Sequence, residues 1–379
     1  MLKLCKIYKD EFKEAFVRDF LNPNYSGKRY FFGTNYTAQQ IFNAISNHIN
    51  IDGFINTNDN NLHEFLQKPV LHNDDLDILD SSALILSCVM GVAVIKVDNF
   101  LSQFNFRHLD CFAFSNYTYG GGESHNIQAN FFVNYFNGYR FNDCAYDIVE
   151  NFANYQKIYN AFADNISRQI FQNLVNFRLT GDIRYMRGFK VANERQYFER
   201  FLDLPNNPIF VDAGGYTGDT SLQFIERYPN FEKIFLFEPD KQNIAQAKQN
   251  LSKYQNISYI QKGLGDSNKN VRFSLHGLGS SVDENGECVI NITKLDDAIK
   301  SRVDFIKMDI EGSEGIAIEG AKDTIKKYHP ALAICVYHKK DDFWKIPQQV
   351  LSLRSDYKLY MRHYTQGIDE TVIFFVRDF

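Results

Sequence analysis

The chain has 379 residues, of which 44% are hydrophobic and 23% charged, and its formal net charge is −5. This is ordinary globular usage, which excludes a disordered or fibrous protein, and the length predicts two domains. Lys and Arg form no basic stripe or cluster, so nucleic acid is excluded as the main partner, as is a polybasic membrane-surface patch.

The amino terminus, MLKLCKIYKDEFKEAFVRDF, is charged throughout and does not read as a signal peptide. The longest nearly apolar stretch, Ala83 to Ile95, falls short of the ~20 residues of a membrane span. The expectation is a soluble, cytoplasmic protein. Cys5, Cys88, Cys111, Cys144, Cys288 and Cys335 never approach C-x-x-C spacing and read as buried thiols of a reducing compartment. The chain has 35 Phe and 22 Tyr against one Trp. That excess fits either codon bias in an AT-rich genome or an aromatic-lined site for a sugar or base. Most of these residues sit inside apolar runs, which favours codon bias for the majority.

A first region of strand–helix alternation begins at Arg29. RYFFG is a short apolar run closed by Gly33, TNYTAQQIFNAISNHI a helix, and INIDGFINTND a second strand and turn. SALILSCV and HLDCFAF supply later apolar runs, with VAVIKVDNFLSQFNF as a helix between them. SNYTYGGGESHN is a loop by composition and NFFVNYFNGYRFN an aromatic segment. Asn151 to about Arg178 has helical spacing. The expected division is a Rossmann-like α/β domain over 1–150, a helical connector over 151–200 and a second α/β domain over 201–379.

The second region is the clearer one. Strands are expected at 208–212, 233–238, 256–261, 303–309 and 331–337, alternating with helices at 217–228 and from 240 to about 254. VRFSL and ECVINIT read as an inserted hairpin, SEGIAIEGAKDTIKKY and DDFWKIPQQVLSLR as helices, and YKLYMRHY and TVIFFV as a closing hairpin. Seven strands, the last antiparallel, suit a doubly wound sheet.

The first of these strands runs into Asp212-Ala213-Gly214-Gly215-Tyr216-Thr217-Gly218. Glycines allow positive φ and a close backbone approach, and the following helix offers free N–H groups. The register is D-x-G-x-x-x-G rather than G-x-G-x-x-G. An acid before the turn would repel a pyrophosphate but can face an ammonium, which favours S-adenosylmethionine over a dinucleotide. Glu238, followed by Pro239, ends the next strand, where an acid accepts both ribose hydroxyls. Gly265-Asp266, past the third strand, is placed to read an adenine amino group. Lys307, Asp309 and Glu311 alternate at the end of the fourth strand, and His338 follows the fifth. His363 lies late in the sixth. Asp309, Glu311 and His338 also have the chemistry of a metal site, but no close-spaced ligand motif accompanies them.

From about Asn151 onward the chain resembles FkbM-type S-adenosylmethionine-dependent methyltransferases. The resemblance rests on VDAGGYTGDTS, LFEPD, LDD, DFIKMDIEGSEGIAIEGAKDTI, HPALAICVYHKKDDFWKIP and ETVIFFV, with RLTGD and RQYFERF upstream. The family more often has Ala where this chain has Gly215. The resemblance implies a Rossmann-like methyltransferase fold, S-adenosylmethionine as cofactor, and methylation of a hydroxyl on a sugar of a glycan or its nucleotide-sugar precursor. The expected cofactor contacts are Asp212, Gly214, Gly215, Tyr216, Thr217, Gly218, Glu238, Pro239, Gly265, Asp266, Asp309 and Tyr197. The expected catalytic group is His338 as base, with Asp309 orienting it and Lys307 setting the local field. The amino-terminal half resembles more weakly the small Rossmann-like domains attached to sugar-modifying enzymes and is expected to recognise the acceptor or serve structure. An NAD-dependent sugar oxidoreductase and a non-catalytic scaffold are the rival readings, and a homo-oligomer stays open.

Overall fold

The structure, a computed structural model, describes residues 1–6, 10–120, 141–274, 281–282 and 288–377. In the amino-terminal half the helix Glu11–Leu21 precedes β1 (Arg29–Phe32). The helix Tyr36–Ile45 follows, capped by the Asn35 side chain accepting from Ala38 N. Next come β2 (Gly53–Ile55), the hairpin β3 (Glu64–Phe65) and β4 (Lys68–Leu71), β5 (Leu84–Ser87), the helix Val94–Leu101 and β6 (Arg107–Asp110). They form one sheet in the order β3-β4-β2-β1-β5-β6, parallel except for β3. The β3–β4 hairpin is absent from the sequence reading. β1 and β5 are fully buried, as strands covered on both faces are. On one face Phe16 and Phe20 stack at 5.7 Å, and Phe20 lies 6.0 Å from Phe31. The buried Arg29 guanidinium donates to Phe20 O, Asp19 O and Asn22 O, supplying partners to carbonyls at that helix's carboxyl end.

HLDCFAF is a strand only as far as Asp110. The Asp110 carboxylate accepts from Ala113 N at 2.9 Å and starts a helix, Cys111–Gly120, that takes in the first half of the expected loop. The glycines after Gly120 and most of the aromatic segment lie outside the described residues.

Between the two sheets the chain forms the helices Phe141–Glu150, Phe152–Ala161 and Asn165–Thr180, the last two within the expected connector over 151–200. The second and third are separate because Ala163 N leaves the helical ladder to bond Leu359 O, and Asp164 caps the next helix through Ser167 N. Asp164 also takes Arg362 Nη2 at 2.8 Å. Backbone N–H groups of Leu2, Lys3 and Cys5 bond the side chains of Gln156, Gln172 and Asn176, so the start of the chain lies along the connector.

The carboxyl-terminal strands are β7 (Ile209–Ala213), β8 (Lys233–Phe237), β9 (Ile257–Ile260), β10 (Gly263–Leu264), β11 (Lys269–Ser274), β12 (Ser281–Val282), β13 (Cys288–Thr293), β14 (Phe305–Met308), β15 (Ala331–Cys335), β16 (Tyr357–His363) and β17 (Thr371–Arg377). Seven of them form a sheet in the order β16-β17-β15-β14-β7-β8-β9, with β17 antiparallel to both neighbours. β10 to β13 make a separate four-stranded sheet in which β11 and β13 are the expected antiparallel hairpin. Phe210 of β7 stacks between Phe224 at 4.4 Å and Phe305 at 5.1 Å, which fixes β7 and β14 against the helix Asp219–Arg227.

SEGIAIEGAKDTIKKY forms two helices, Glu314–Glu319 and Lys322–Tyr328, instead of one. At the break, a Cβ on Gly320 would lie 1.9 Å from Gly265 O. The chain needs glycine there because the loop after β10 presses on it. Four cysteines are buried, whereas Cys5 and Cys288 are half-buried, and all six are free thiols. Among the described residues no helix is long and apolar enough to cross a membrane.

Candidate active site

The chain leaves β7 to build one side of the large sheet and returns to β14 on the other. The crevice therefore opens at the carboxyl ends of β7 and β14, where ligands of open α/β sheets sit. A cavity of about 420 Å³ occupies that place.

Its floor is the glycine turn. Gly214 (φ 74°) and Gly215 both donate their N–H to Phe237 O, at 3.0 and 2.9 Å, and Gly218 (φ 84°) caps the next helix. A Cβ on Gly214 would lie 1.9 Å from Asp309 O, so the turn packs directly on the end of β14. Leu236 fills the space that the methyl of an alanine at Gly215 would occupy.

Asp212, expected to face the cofactor, is fully buried and is not on the cavity wall. It lies opposite Lys307 in the β7–β14 register. Its carboxylate accepts from Ser221 Oγ at 2.7 Å and is 3.3 Å from Lys307 Nζ. The same ammonium donates to Gly214 O at 2.6 Å. Burial pulls the Lys307 pKa down, but the charges of Asp212 and Asp309 outweigh it and leave the ammonium more basic than an ordinary lysine. Asp212 therefore reaches the cavity only through Lys307 and the turn.

Glu238 lines the cavity. Its two oxygens accept from Tyr216 N (3.0 Å) and Asp240 N (2.9 Å), which fixes the carboxylate and leaves further lone pairs open. Burial raises its pKa, against those two bonds. Gly214, Tyr216, Pro239, Tyr197, Lys307 and Asp309 also line the cavity; Gly215, Thr217, Gly218, Gly265 and Asp266 do not. Asp266 is exposed and bonds Ser267 Oγ at 2.8 Å, away from the cavity, whose lining near this strand is Gly263, Leu264, Ile290 and Ile292. These form an apolar slot suited to a flat base.

On the opposite wall, Asp309 accepts from Tyr197 OH at 2.7 Å and Tyr337 OH at 3.2 Å. Burial alone would raise its pKa, but Lys307 and His338 hold it below the usual carboxylate range. His338 lies behind this wall. Its Nε2 is 3.4 Å from both Asp309 and Glu311, and its Nδ1 is 3.0 Å from Glu314. Burial opposes charge on the ring, yet the three carboxylates, Glu314 foremost, push its pKa up to about 10. The expectation of a base at His338 is thus corrected on geometry: the ring is buried among three carboxyl groups and does not line the cavity.

Glu311 does touch it. Its backbone is in the left-handed region (φ 53°), and burial, opposed by His338 but aided by Asp309, pushes its carboxyl up to about 8. Asp309, Glu314 and His338 each offer a ligand atom within 4.8 Å of the others. However, Glu314 and Asp309 approach opposite ring nitrogens, an arrangement that suits a charge held between them. His363 is remote from this cluster. It bonds Thr371 Oγ1 at 2.9 Å, packs on Phe189, and burial lowers its pKa to about 3.

The sequence reading missed Glu314, buried on the helix after the D-x-E-G turn, along with Gln196 and Glu370. Glu370 lines the cavity, accepts from Gln196 Nε2 and has a carboxyl raised to about 7 by burial and by Asp309. Its acid pair with Asp369, just before the final strand, was the available signal.

The sheet order, the reversed last strand and the glycine turn define a Rossmann-like methyltransferase fold. Residues 212–365 match the family model described as the methyltransferase FkbM domain. The 2-O-methyltransferase NoeI of Sinorhizobium fredii (strain NBRC 101917 / NGR234) is 23% identical over 147 residues, which are 32% of this chain and 60% of that protein. The chain thus matches less than two thirds of that relative's length. The crystal structure of methyltransferase FkbM from Methylobacillus flagellatus KT superposes with a TM-score of 0.75 at 22% identity, over 97% of this chain and 93% of that one.

Replacing His338 with Gln leaves the carboxylates of Asp309 and Glu314, and the Glu311 carboxyl, facing a neutral side chain, and a loss of ~3–5 kcal/mol is expected at neutral pH. The folded pKa of His338 lies above its ordinary 6.5, so its stabilisation is complete below pH 6.5 and disappears as pH rises through about 10. Urea unfolding of both proteins from pH 6 to 10 should show the difference shrinking; a constant difference would contradict a buried imidazolium.

Proposed function

We propose that the protein is an S-adenosylmethionine-dependent O-methyltransferase acting on a hydroxyl of a sugar, in a glycan or a nucleotide-sugar precursor. The observation that carries the reading is Glu238, fixed by two backbone N–H groups on the cavity wall beside the glycine turn. Its free lone pairs suit the two ribose hydroxyls. The slot of Gly263, Leu264, Ile290 and Ile292 suits the adenine, and Gly214 and Tyr216 suit the remainder of the cofactor.

The charge of the wall supports a cationic cofactor. Glu194, Asp219, Glu238, Asp309, Glu311 and Glu370 line the cavity. Lys307 is the one lysine or arginine among the described lining residues, and Asp212 and Gly214 O already engage it. A pyrophosphate would meet net repulsion, whereas a sulfonium would be attracted. This disfavours the NAD reading. The 2-O-methyltransferase relative supports oxygen as the methylated atom.

When bound, the cofactor supplies a methyl carbon that passes to the acceptor oxygen while the carbon–sulfur bond pair leaves with sulfur. The chain's own residues do the rest. Glu311 accepts the hydroxyl proton, a role its cavity-facing position permits and that of His338 does not. His338 holds Glu311 and Asp309 in place, and the two tyrosines fix Asp309 further. Lys307 locks the turn to β14. Positioning of this kind supplies much of the rate in a transfer that needs three atoms in line.

Calorimetric titration should give one site for S-adenosylhomocysteine and none for NAD. Glu238→Ala should weaken the former by about 10–100-fold, the worth of one to two charge-assisted hydrogen bonds. Equal affinity in the variant would remove Glu238 from the site. Glu311 must be ionised to act as a base, so kcat/KM for the cofactor should rise with pH through about 8. Glu311→Gln should lose that limb and lower kcat by ~10²–10⁴, with S-adenosylhomocysteine affinity kept within a few-fold. An unchanged profile would exclude Glu311 as the base.

A further inference from the structure

The turn between β16 and β17 reaches two parts of the molecule at once. At one end, Gln366 uses its backbone N–H and both polar atoms of its side-chain amide on other segments. Its N–H donates to Gly91 O at 2.6 Å, its Oε1 accepts from Ile95 N at 3.2 Å, and its Nε2 donates to Phe189 O at 2.9 Å. Gly91 and Ile95 belong to the segment that follows β5. There the amino-terminal sheet has its own reversal of strand order, between β1 and β5. Ile95 lies in the first turn of the helix Val94–Leu101, whose cap, Ala93, supplies no side-chain acceptor, so Gln366 satisfies a donor that the helix leaves open. The backbones are in close contact: a Cβ on Gly367 would lie 3.1 Å from Gly91 N and 3.3 Å from its Cα.

At the other end of the same turn is Glu370, in the left-handed region at φ 63° and on the cavity wall with Gln196, Asp309 and Glu311. Two bonds stiffen the path between the ends. Tyr364 N donates to Glu370 O at 3.2 Å, and Thr365 Oγ1 donates to Asp369 O at 2.9 Å. A residue in the left-handed region needs its surroundings to hold it there. Here the anchor is Gln366, and what Gln366 grips is the segment after β5 and the start of the helix Val94–Leu101, together with Phe189 O.

We infer that Gln366 is a positioning residue through which the amino-terminal half sets the place of Glu370 in the cavity wall. The inference rests on the cavity being the methyl-transfer site. It gives the amino-terminal half a role in that site without a ligand of its own.

The test compares wild type with Gln366→Ala, which loses both side-chain bonds, and Gln366→Glu, which keeps the acceptor for Ile95 N. Two readouts need neither cofactor nor acceptor. One is hydrogen exchange of the amides of Tyr364 and Gln366. The other is the carboxyl titration of Glu370 by carbon NMR, assigned with Glu370→Gln. Asp309, Asp369 and His338 also act on that carboxyl and are unchanged in all these proteins. In Gln366→Ala, exchange should quicken by about tenfold or more, and the Glu370 titration should fall from about 7 toward the ordinary 4.5. Gln366→Glu should restore much of both. Affinity for S-adenosylhomocysteine should stay within about threefold, since no residue of the glycine turn is touched. A Glu370 titration identical to wild type in folded Gln366→Ala would overturn the inference, as would unchanged exchange. If Gln366→Ala does not fold, Gln366→Glu carries the same two readouts, with smaller shifts in the same direction expected and no shift overturning. Failure of wild type to bind S-adenosylhomocysteine would sink the methyl-transfer reading, and these two readouts tell that failure apart.

Discussion

A single ammonium, that of Lys307, is the constraint on which the rest of the carboxyl edge depends. Lys307 is buried at the centre of the large sheet, opposite Asp212 in register, and bonds the carbonyl of the first turn glycine. An unpaired lysine there would lose its proton or unfold the sheet, so Asp212 is required for charge balance. Once the pair forms, β7 and β14 are fixed in register, and Gly214 is held against Asp309 O where no side chain fits. The turn, the end of β14 and the wall that carries Asp309 thus become one rigid unit.

Around this unit the chain gathers more carboxylates than cations. His338 offsets part of the excess by serving Asp309, Glu311 and Glu314 at once. Burial first, and the remaining carboxylates second, raise the carboxyl pKa values of Glu311 and Glu370, both on the cavity wall. Groups that titrate near neutrality at a cavity wall are suited to moving protons, and buried ones that are fully charged are suited to holding them in place. The molecule separates the two roles by depth: the imidazolium lies behind the wall and the titrating carboxyls lie on it.

Much of this was legible in the sequence, and the part that was not has a common cause. The strand–turn–helix at Asp212 to Gly218 and the acid at Glu238 are local patterns, and the order of strands follows from the alternation of apolar runs. What local patterns do not encode is depth and pairing across the sheet. Asp212 precedes the glycine turn in either arrangement, but only the β7–β14 register shows that its carboxylate meets Lys307. His338 follows a strand as a base would, yet its Nδ1 is paired at 3.0 Å with Glu314 from a separate helix. The single helix read over 313–328 breaks at Gly320 because a loop distant in sequence presses on it. Glu370 had only an acid pair before the last strand to mark it, and its place depends on Gln366 and the segment that follows β5.

The most direct measurement is a crystal structure of the protein grown with S-adenosylhomocysteine. The expected result is a nucleoside seated against Gly214 and Tyr216, its ribose hydroxyls on Glu238 and its base between Gly263–Leu264 and Ile290–Ile292, with the Lys307–Asp212 pair intact beneath it. A nucleoside bound elsewhere on the molecule, or no bound ligand at saturating concentration, would contradict a methyl-transfer site at this edge of the sheet.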